Sequence, residues 1–231
     1  VVDSMIAREV DCSCYLYSGR EVAVASTKSF TSHVIMLAMI SLWFNQTYKI
    51  HRNVLKHKQI ILDLRNLQKD MIETLKTRSE VQKLVSLFEN KNSCFILGKG
   101  CGESIANEGS LKMKEVSYIH TEGYSTSSLK HGPFALLEDN FPVIILSPEN
   151  EHKSKTQNAI EEIKSRCAKI IKIVNTHEED SYENNIRVSY NETFNDLLMI
   201  IPLQFLSYEL AISRNINPDM PRNLAKVVTV E

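Results

Sequence analysis

The sequence predicts an α/β layered fold, a mostly parallel sheet flanked by helices. Two observations carry that prediction. Strand-like and helical periods alternate along the chain, and the apolar runs at 94–97, 143–147 and 170–174 are separated by stretches long enough to cross back over a sheet. A third observation places the site. Six of the seven glycines, all but Gly19, lie between Gly98 and Gly132, together with Glu108, Lys112, Glu115 and His131. Glycine serves where backbone turns sharply or approaches a ligand closely.

Taken in order, residues 14–17 alternate as a strand does, pointing Cys12 and Cys14 the same way into packing. Ser26-Thr27 is suited to capping an apolar helix over 28–45. The stretch 54–75 has leucine and isoleucine at helical spacing without glycine or proline, and a further helix follows over 81–88. A polar turn at 90–93 is the best boundary. Beyond it come a strand at 94–97, the Gly98-Lys99-Gly100-Cys101-Gly102 loop, a helix from 103 to about 118, and a loop reaching Gly132-Pro133. A strand at 143–147, a helix at 153–166 and strands at 170–174 and 186–189 complete the unit. The last apolar stretch, 191–214, reads as a largely buried helix that Pro202 kinks or starts.

Composition narrows the function classes. The net charge is -1 and the basic residues are scattered, so the chain carries no electrostatic footprint for nucleic acid or an acidic membrane. The longest apolar run, 34–44, is too short to span a bilayer and no signal peptide is visible, while five cysteines without a metal-ligand spacing fit reduced thiols in a cytoplasmic protein. The opening Val-Val-Asp suggests a piece of something longer.

The glycine loop follows a strand and precedes a helix, so it can present backbone N–H groups to a phosphate or sugar hydroxyl. It matches neither a dinucleotide fingerprint nor a P-loop, and a tight strand-to-helix turn without ligand explains it equally. In the next helix Glu108, Lys112 and Glu115 are spaced by four and three and share a face. There a carboxylate can act as base while the ammonium steadies developing negative charge. A solvated salt-bridge stripe has the same spacing. His131 sits on a loop made rigid by Gly132-Pro133 and can exchange protons near neutral pH. Near the end, Lys226 lies among apolar residues, where desolvation would free its amine to attack a carbonyl.

Gly98-Lys99-Gly100, the 107–115 run Asn-Glu-Gly-Ser-Leu-Lys-Met-Lys-Glu, Leu129-Lys130-His131-Gly132-Pro133 and the 221–226 run Pro-Arg-Asn-Leu-Ala-Lys stand in one order, with Val24-Ala25-Ser26-Thr27-Lys28 upstream. Together they resemble the glutamine:fructose-6-phosphate amidotransferases, the glucosamine-6-phosphate synthases, along essentially the whole chain. The resemblance implies two sugar-isomerase (SIS) lobes behind an N-terminal glutaminase. Residues 1–50 would be the end of the first lobe, 51–79 linking helices, 80–215 the second lobe and 216–231 a catalytic tail. The glutaminase and the first-lobe loop that grips the sugar phosphate would lie outside this chain.

The resemblance also implies roles. His131 would assist opening of the fructose 6-phosphate ring, reaching the site from the other subunit of a homodimer. Lys226 would form a Schiff base at C2, Glu115 would move the proton between C1 and C2, and Lys112 would handle the C1 hydroxyl proton. Glu108, Val24, Ser26 and Ala225 would contact or position the sugar. No metal or organic cofactor is implied. Ser127-Ser128 and Val227 depart from the family pattern without removing a residue assigned chemistry. The 8–12 segment resembles one that lines a UDP-N-acetylglucosamine feedback site in eukaryotic members. A related sugar-phosphate deglycase or deaminase, or a non-catalytic sugar-phosphate-binding and dimerisation module, would share several of these features.

Overall fold

The computed structural model describes residues 2–49, 53–175 and 182–226. Its centre is a five-stranded sheet in the order β2-β1-β3-β4-β5, formed by β1 (Ser93–Gly98), β2 (His120–Ser125), β3 (Pro142–Ser147), β4 (Lys169–Val174) and β5 (Asn185–Arg187). Every neighbouring pair is parallel. The central strands are almost wholly buried, as strands covered on both faces must be.

Alternation along these strands divides the core in two. Ile96, Ile144, Ile171 and Ile173 face one side, where they meet α5 (Cys101–Lys112), α7 (Asn195–Leu198) and α8 (Ile200–Ser213). Phe95, Leu97, Val143 and Ile145 face the other side and pack on Ile160 and Ile163 of α6 (Lys153–Lys164). The first face also takes Leu64, Leu67 and Met71 from α3 (Val54–Leu75), Val81 and Leu84 from α4 (Arg78–Leu84), and Phe30, Val34, Ile35 and Ala38 from α2 (Lys28–Tyr48). The outer side of α2 leaves Leu37, Trp43, Phe44 and Tyr48 exposed. A short α1 (Met5–Glu9) near the start buries none of its residues.

Several expectations need correction. No strand forms at 14–17: Cys12, Cys14 and Tyr17 are exposed, since no ladder pairs with this segment among the described residues. Thr27 makes no side-chain cap on α2; the carboxylate of Glu21 accepts from the Thr27 and Ser29 N–H groups instead. The polar stretch 120–125, read as loop, is the edge strand β2. Its one glycine, Gly123, lets α5 lie close over it, because a Cβ there would fall 2.4 Å from Asn107 Oδ1. The final apolar stretch is broken at Met199 into α7 and α8, with Pro202 in the first turn of α8, where its missing N–H costs nothing. Residues 195–213 are apolar and long enough to cross a bilayer, but α8 is a core helix whose apolar residues are mostly buried against α3, α4 and α5.

Candidate active site

Helix α5 starts at the carboxyl edge of the sheet, at the glycine loop after β1, and runs back to the amino edge, where β2 begins beside Ser93. The glycines of that loop are explained by packing. A Cβ on Gly98 would lie 2.1 Å from the Gly102 carbonyl, and Gly100 has a φ of +61° with His152 against its open side. Tight strand-to-helix turning therefore accounts for them without a ligand. Asp196 reaches the same helix start, and burial raises its carboxyl above the usual range, partly offset by His152.

The far end of α5 carries the charged face. Lys112 Nζ lies 2.7 Å from Glu115 Oε2 and 3.4 Å from Glu108 Oε1, and its side chain is 4% exposed. An ammonium so buried requires paired charge, so these residues form a built cluster in place of a solvated stripe. Burial raises the Glu108 carboxyl above its ordinary range, Lys112 pulls it down, and Glu115 adds to the rise. Lys114 points to solvent.

After Lys112 the helix widens into one π-helical turn, Met113–Ser117, closed by Tyr118 at a φ of +59°. Such turns recur at functional sites because they push side chains out of ordinary helical register. This one is anchored on all sides: Ser117 Oγ donates to Met113 O, and the Arg214 guanidinium donates to Ser117 O and Lys91 O. Gly109 lets α8 press close, since a Cβ there would meet Leu203 Cδ1 at 2.4 Å.

Two distant segments close over this turn. Ala25 is buried against Val116 and Ala211, which brings the 23–26 stretch onto the π turn. The Arg222 N–H donates to Tyr118 Oη at 2.6 Å and its guanidinium stacks 4.4 Å from the Tyr118 ring, while Val24 N–H donates to Asp219 O. Lys226 then reaches back: its Nζ donates to Glu21 Oε2 at 3.0 Å and to Ala23 O at 2.8 Å. At this corner of the molecule Lys226 bonds the 21–24 segment and Ala25 packs on Val116, next to Glu115 in the turn that follows Glu108 and Lys112, while Ser26 and Ala225 are the chain neighbours of Ala25 and Lys226.

Lys226 differs from expectation in its surroundings. Among the described residues it is 39% exposed and paired with a carboxylate instead of being enclosed by apolar neighbours. The apolar residues expected on its far side, Val227 and Val228, lie outside the described residues, as does the family departure at Val227. Reasoning from sequence missed Glu21, Tyr118 and Arg222. Glu21 stands 205 residues from its partner, and no local pattern marks it. Burial opposes ionisation of Glu21, yet hydrogen bonds from Ser29, Thr27 and Lys226 prevail and lower its carboxyl to about 2.

His131 is not brought to this corner. It is exposed on a 3-10 turn, Leu129–His131, which follows the carboxyl end of β2. Leu129 is buried in the α6-side core and Lys130 pairs with Glu162 of α6 at 2.6 Å. Lys112 and Glu115 flank Met113, which is buried in the core of the opposite face. The histidine and the carboxylates therefore sit on opposite faces and opposite edges, and one six-residue strand alone spans about 17 Å.

A family model for the SIS domain matches residues 87–214, which takes in the sheet, α5 and the π turn. The chain belongs to the SIS-domain family. Along its whole length this SIS protein is 49% identical, over 239 residues, to a probable glutamine–fructose-6-phosphate aminotransferase [isomerizing] of Acanthamoeba polyphaga mimivirus, of which it covers 38%. Among solved structures, it superposes on the C-terminal domain of glucosamine-fructose-6-phosphate aminotransferase from Francisella tularensis with a TM-score of 0.90 at 32% identity, covering 95% of this chain and 63% of that one. A glucosamine-6-phosphate deaminase from Thermotoga maritima superposes with a TM-score of 0.73 at 25% identity, covering 97% of this chain and 63% of that one. The SIS chain spans about two fifths of the length of the curated relatives it matches.

Proposed function

We propose that this chain is the isomerase part of a glutamine:fructose-6-phosphate aminotransferase, which converts fructose 6-phosphate and glutamine-derived ammonia to glucosamine 6-phosphate. The observation that carries the reading is the buried Lys112 held between Glu108 and Glu115, with the 21–25 segment that receives Lys226 packed through Ala25 on the π turn that follows. Higher identity to aminotransferases than to the deaminase favours this reading over a deaminase.

In this reading Lys226 attacks C2 of the open-chain sugar and forms an imine, which ammonia later replaces. Glu115 carries the proton between C1 and C2, and Lys112, hydrogen-bonded to it in the same ion cluster, moves the C1 hydroxyl proton. Glu108 keeps Lys112 aimed, while Val24, Ser26 and Ala225 contact the sugar. His131 opens the sugar ring in the site of a second subunit, and its distance from Glu115 within one chain supports a homodimer. Residues 1–50 close a preceding SIS lobe, whose missing part covers the exposed face of α2; 51–79 link it to the second lobe at 80–215, and 216–231 form the catalytic tail. A glutaminase before that lobe supplies ammonia, and the enzyme works in the cytoplasm.

The test is Glu115→Gln in the full-length polypeptide. Exchange of the sugar C1 proton with solvent is expected to fall by about 10²–10⁴-fold, the range of a lost general base, while glutamine hydrolysis continues. Unchanged exchange removes Glu115 from the reaction.

A further inference from the structure

We propose that Glu21 is a positioning residue for the imine-forming lysine, its carboxylate seating the Lys226 amine on the backbone of residues 23–24. The inference rests on the role given to Lys226 above. Each oxygen of Glu21 is committed. Oε1 accepts the Thr27 N–H at 2.9 Å and the Ser29 N–H at 3.3 Å, and Oε2 accepts the Ser29 hydroxyl at 2.7 Å and Lys226 Nζ at 3.0 Å. The first turn of α2 thereby fixes the carboxylate before the tail arrives. The side chain is 12% exposed, which leaves it little room to swing.

Lys226 has three N–H donors and meets three acceptors: Glu21, the Ala23 carbonyl at 2.8 Å and the Val24 carbonyl at 3.5 Å. Two of these are neutral carbonyls of the segment that carries Val24 and Ser26, so the amine is set beside the proposed sugar contacts. Glu21 is the one charged member and holds a long side chain carried on the exposed 222–226 segment. Helix capping alone does not account for this arrangement, because capping needs no tail lysine on the second oxygen.

The step served is imine formation. Once the ammonium has released one proton to solvent, the amine attacks C2 and a C–N bond forms. The C2 oxygen then leaves as water with the two remaining N–H protons. A misplaced amine slows this step without weakening the grip on the sugar.

The experiment uses the full-length polypeptide, fructose 6-phosphate and borohydride, whose hydride reduces the imine to a stable adduct counted on the Lys226 peptide. Binding is measured separately with sorbitol 6-phosphate, which has no carbonyl. Glu21→Gln is expected to slow trapping about tenfold or more, as small displacements of a reacting group do. Affinity for sorbitol 6-phosphate is expected to stay within about twofold, the split that marks a lost orientation rather than lost binding. Ser29→Ala, which loosens the carboxylate and leaves its charge, slows trapping by about threefold, the effect of one hydrogen bond. That variant decides if Glu21→Gln fails to fold. Wild-type trapping rates in the folded variants overturn the proposal, as does an equal loss of trapping and binding, which would mark a structural role. A wild type that never forms the adduct overturns the imine reading itself, a different failure from the one confined to Glu21.

Discussion

Lys112 and Lys226 are both held by glutamate, but in opposite surroundings. Lys112 is 4% exposed and takes both partners from its own helix and the turn that follows, whereas Lys226 is 39% exposed and takes its partner from 205 residues earlier. The carboxylates differ as much. Burial raises Glu108, whereas Glu21, despite burial, is lowered to about 2 by Ser29, Thr27 and Lys226. Identical residue types thus acquire opposite charge behaviour, Glu108 because burial outweighs its pairing with Lys112 and Glu21 because the hydrogen bonds of a helix start outweigh its burial. The Lys112 cluster is closed within one helix and its following turn, whereas the Glu21–Lys226 pair fastens the tail to the 21–24 segment.

The comparison breaks first at Lys112. Lys112→Met leaves two half-buried carboxylates without their cation, so a stability loss of about 3–5 kcal/mol is expected together with loss of isomerisation. Lys226→Met removes a partly exposed pair and is expected to cost less than about 1 kcal/mol while also abolishing isomerisation. Urea unfolding of the two variants reads the difference directly, and equal losses would show that the burial contrast carries no energy.

Next comes the separation of His131 from the cluster. Mixing full-length His131→Ala with full-length Glu115→Gln, each inactive alone, is expected to restore about a quarter of wild-type activity. Half the dimers formed by random exchange are mixed, and each has one intact composite site. No recovery in demonstrated mixed dimers would place both groups in one subunit's site.

The smallest effect is the sign of two pH dependences. Glu108 has a raised value in the fold, so its contribution is fully present below the ordinary value of 4.5 and is lost as pH rises through the raised one. Glu108→Gln should therefore gain on the wild type as pH rises from 4.5 through the raised value. Glu21 runs the other way: its contribution is present above 4.5 and is lost as pH falls toward about 2. Glu21→Gln should be less stable than the wild type at neutral pH, with the gap closing on acidification. Melting curves across that range with the same sign for both variants would contradict the contrast.

The same contrast explains what could be read before the structure. The 54–75 helix and the buried strands declare themselves through local periodicity, and the spacing of Glu108, Lys112 and Glu115 puts them on one face by helix geometry alone. Strand β2 hides because it is a polar edge strand with glycine in it, held by register with β1 instead of by its own pattern. The π turn leaves no mark in spacing, and Arg214, one of the partners that hold it, lies 97 residues away in the chain from Ser117. Glu21, Tyr118 and Arg222 are likewise joined by contacts across the whole chain, and the placement of His131 follows from which sheet face Leu129 enters. Motif resemblance marks His131 and Lys226; the structure supplies their surroundings.

The most direct measurement is covalent capture at Lys226. Incubating the full-length polypeptide with fructose 6-phosphate and borohydride, without glutamine, is expected to leave a reduced sugar-phosphate adduct on the peptide containing Lys226. Lys226→Arg keeps the positive charge beside Glu21 but cannot form an imine, because guanidinium stays protonated. It is expected to show neither adduct nor glucosamine 6-phosphate formation. A wild type that is never trapped while Lys226→Arg makes glucosamine 6-phosphate at the normal rate would contradict the account.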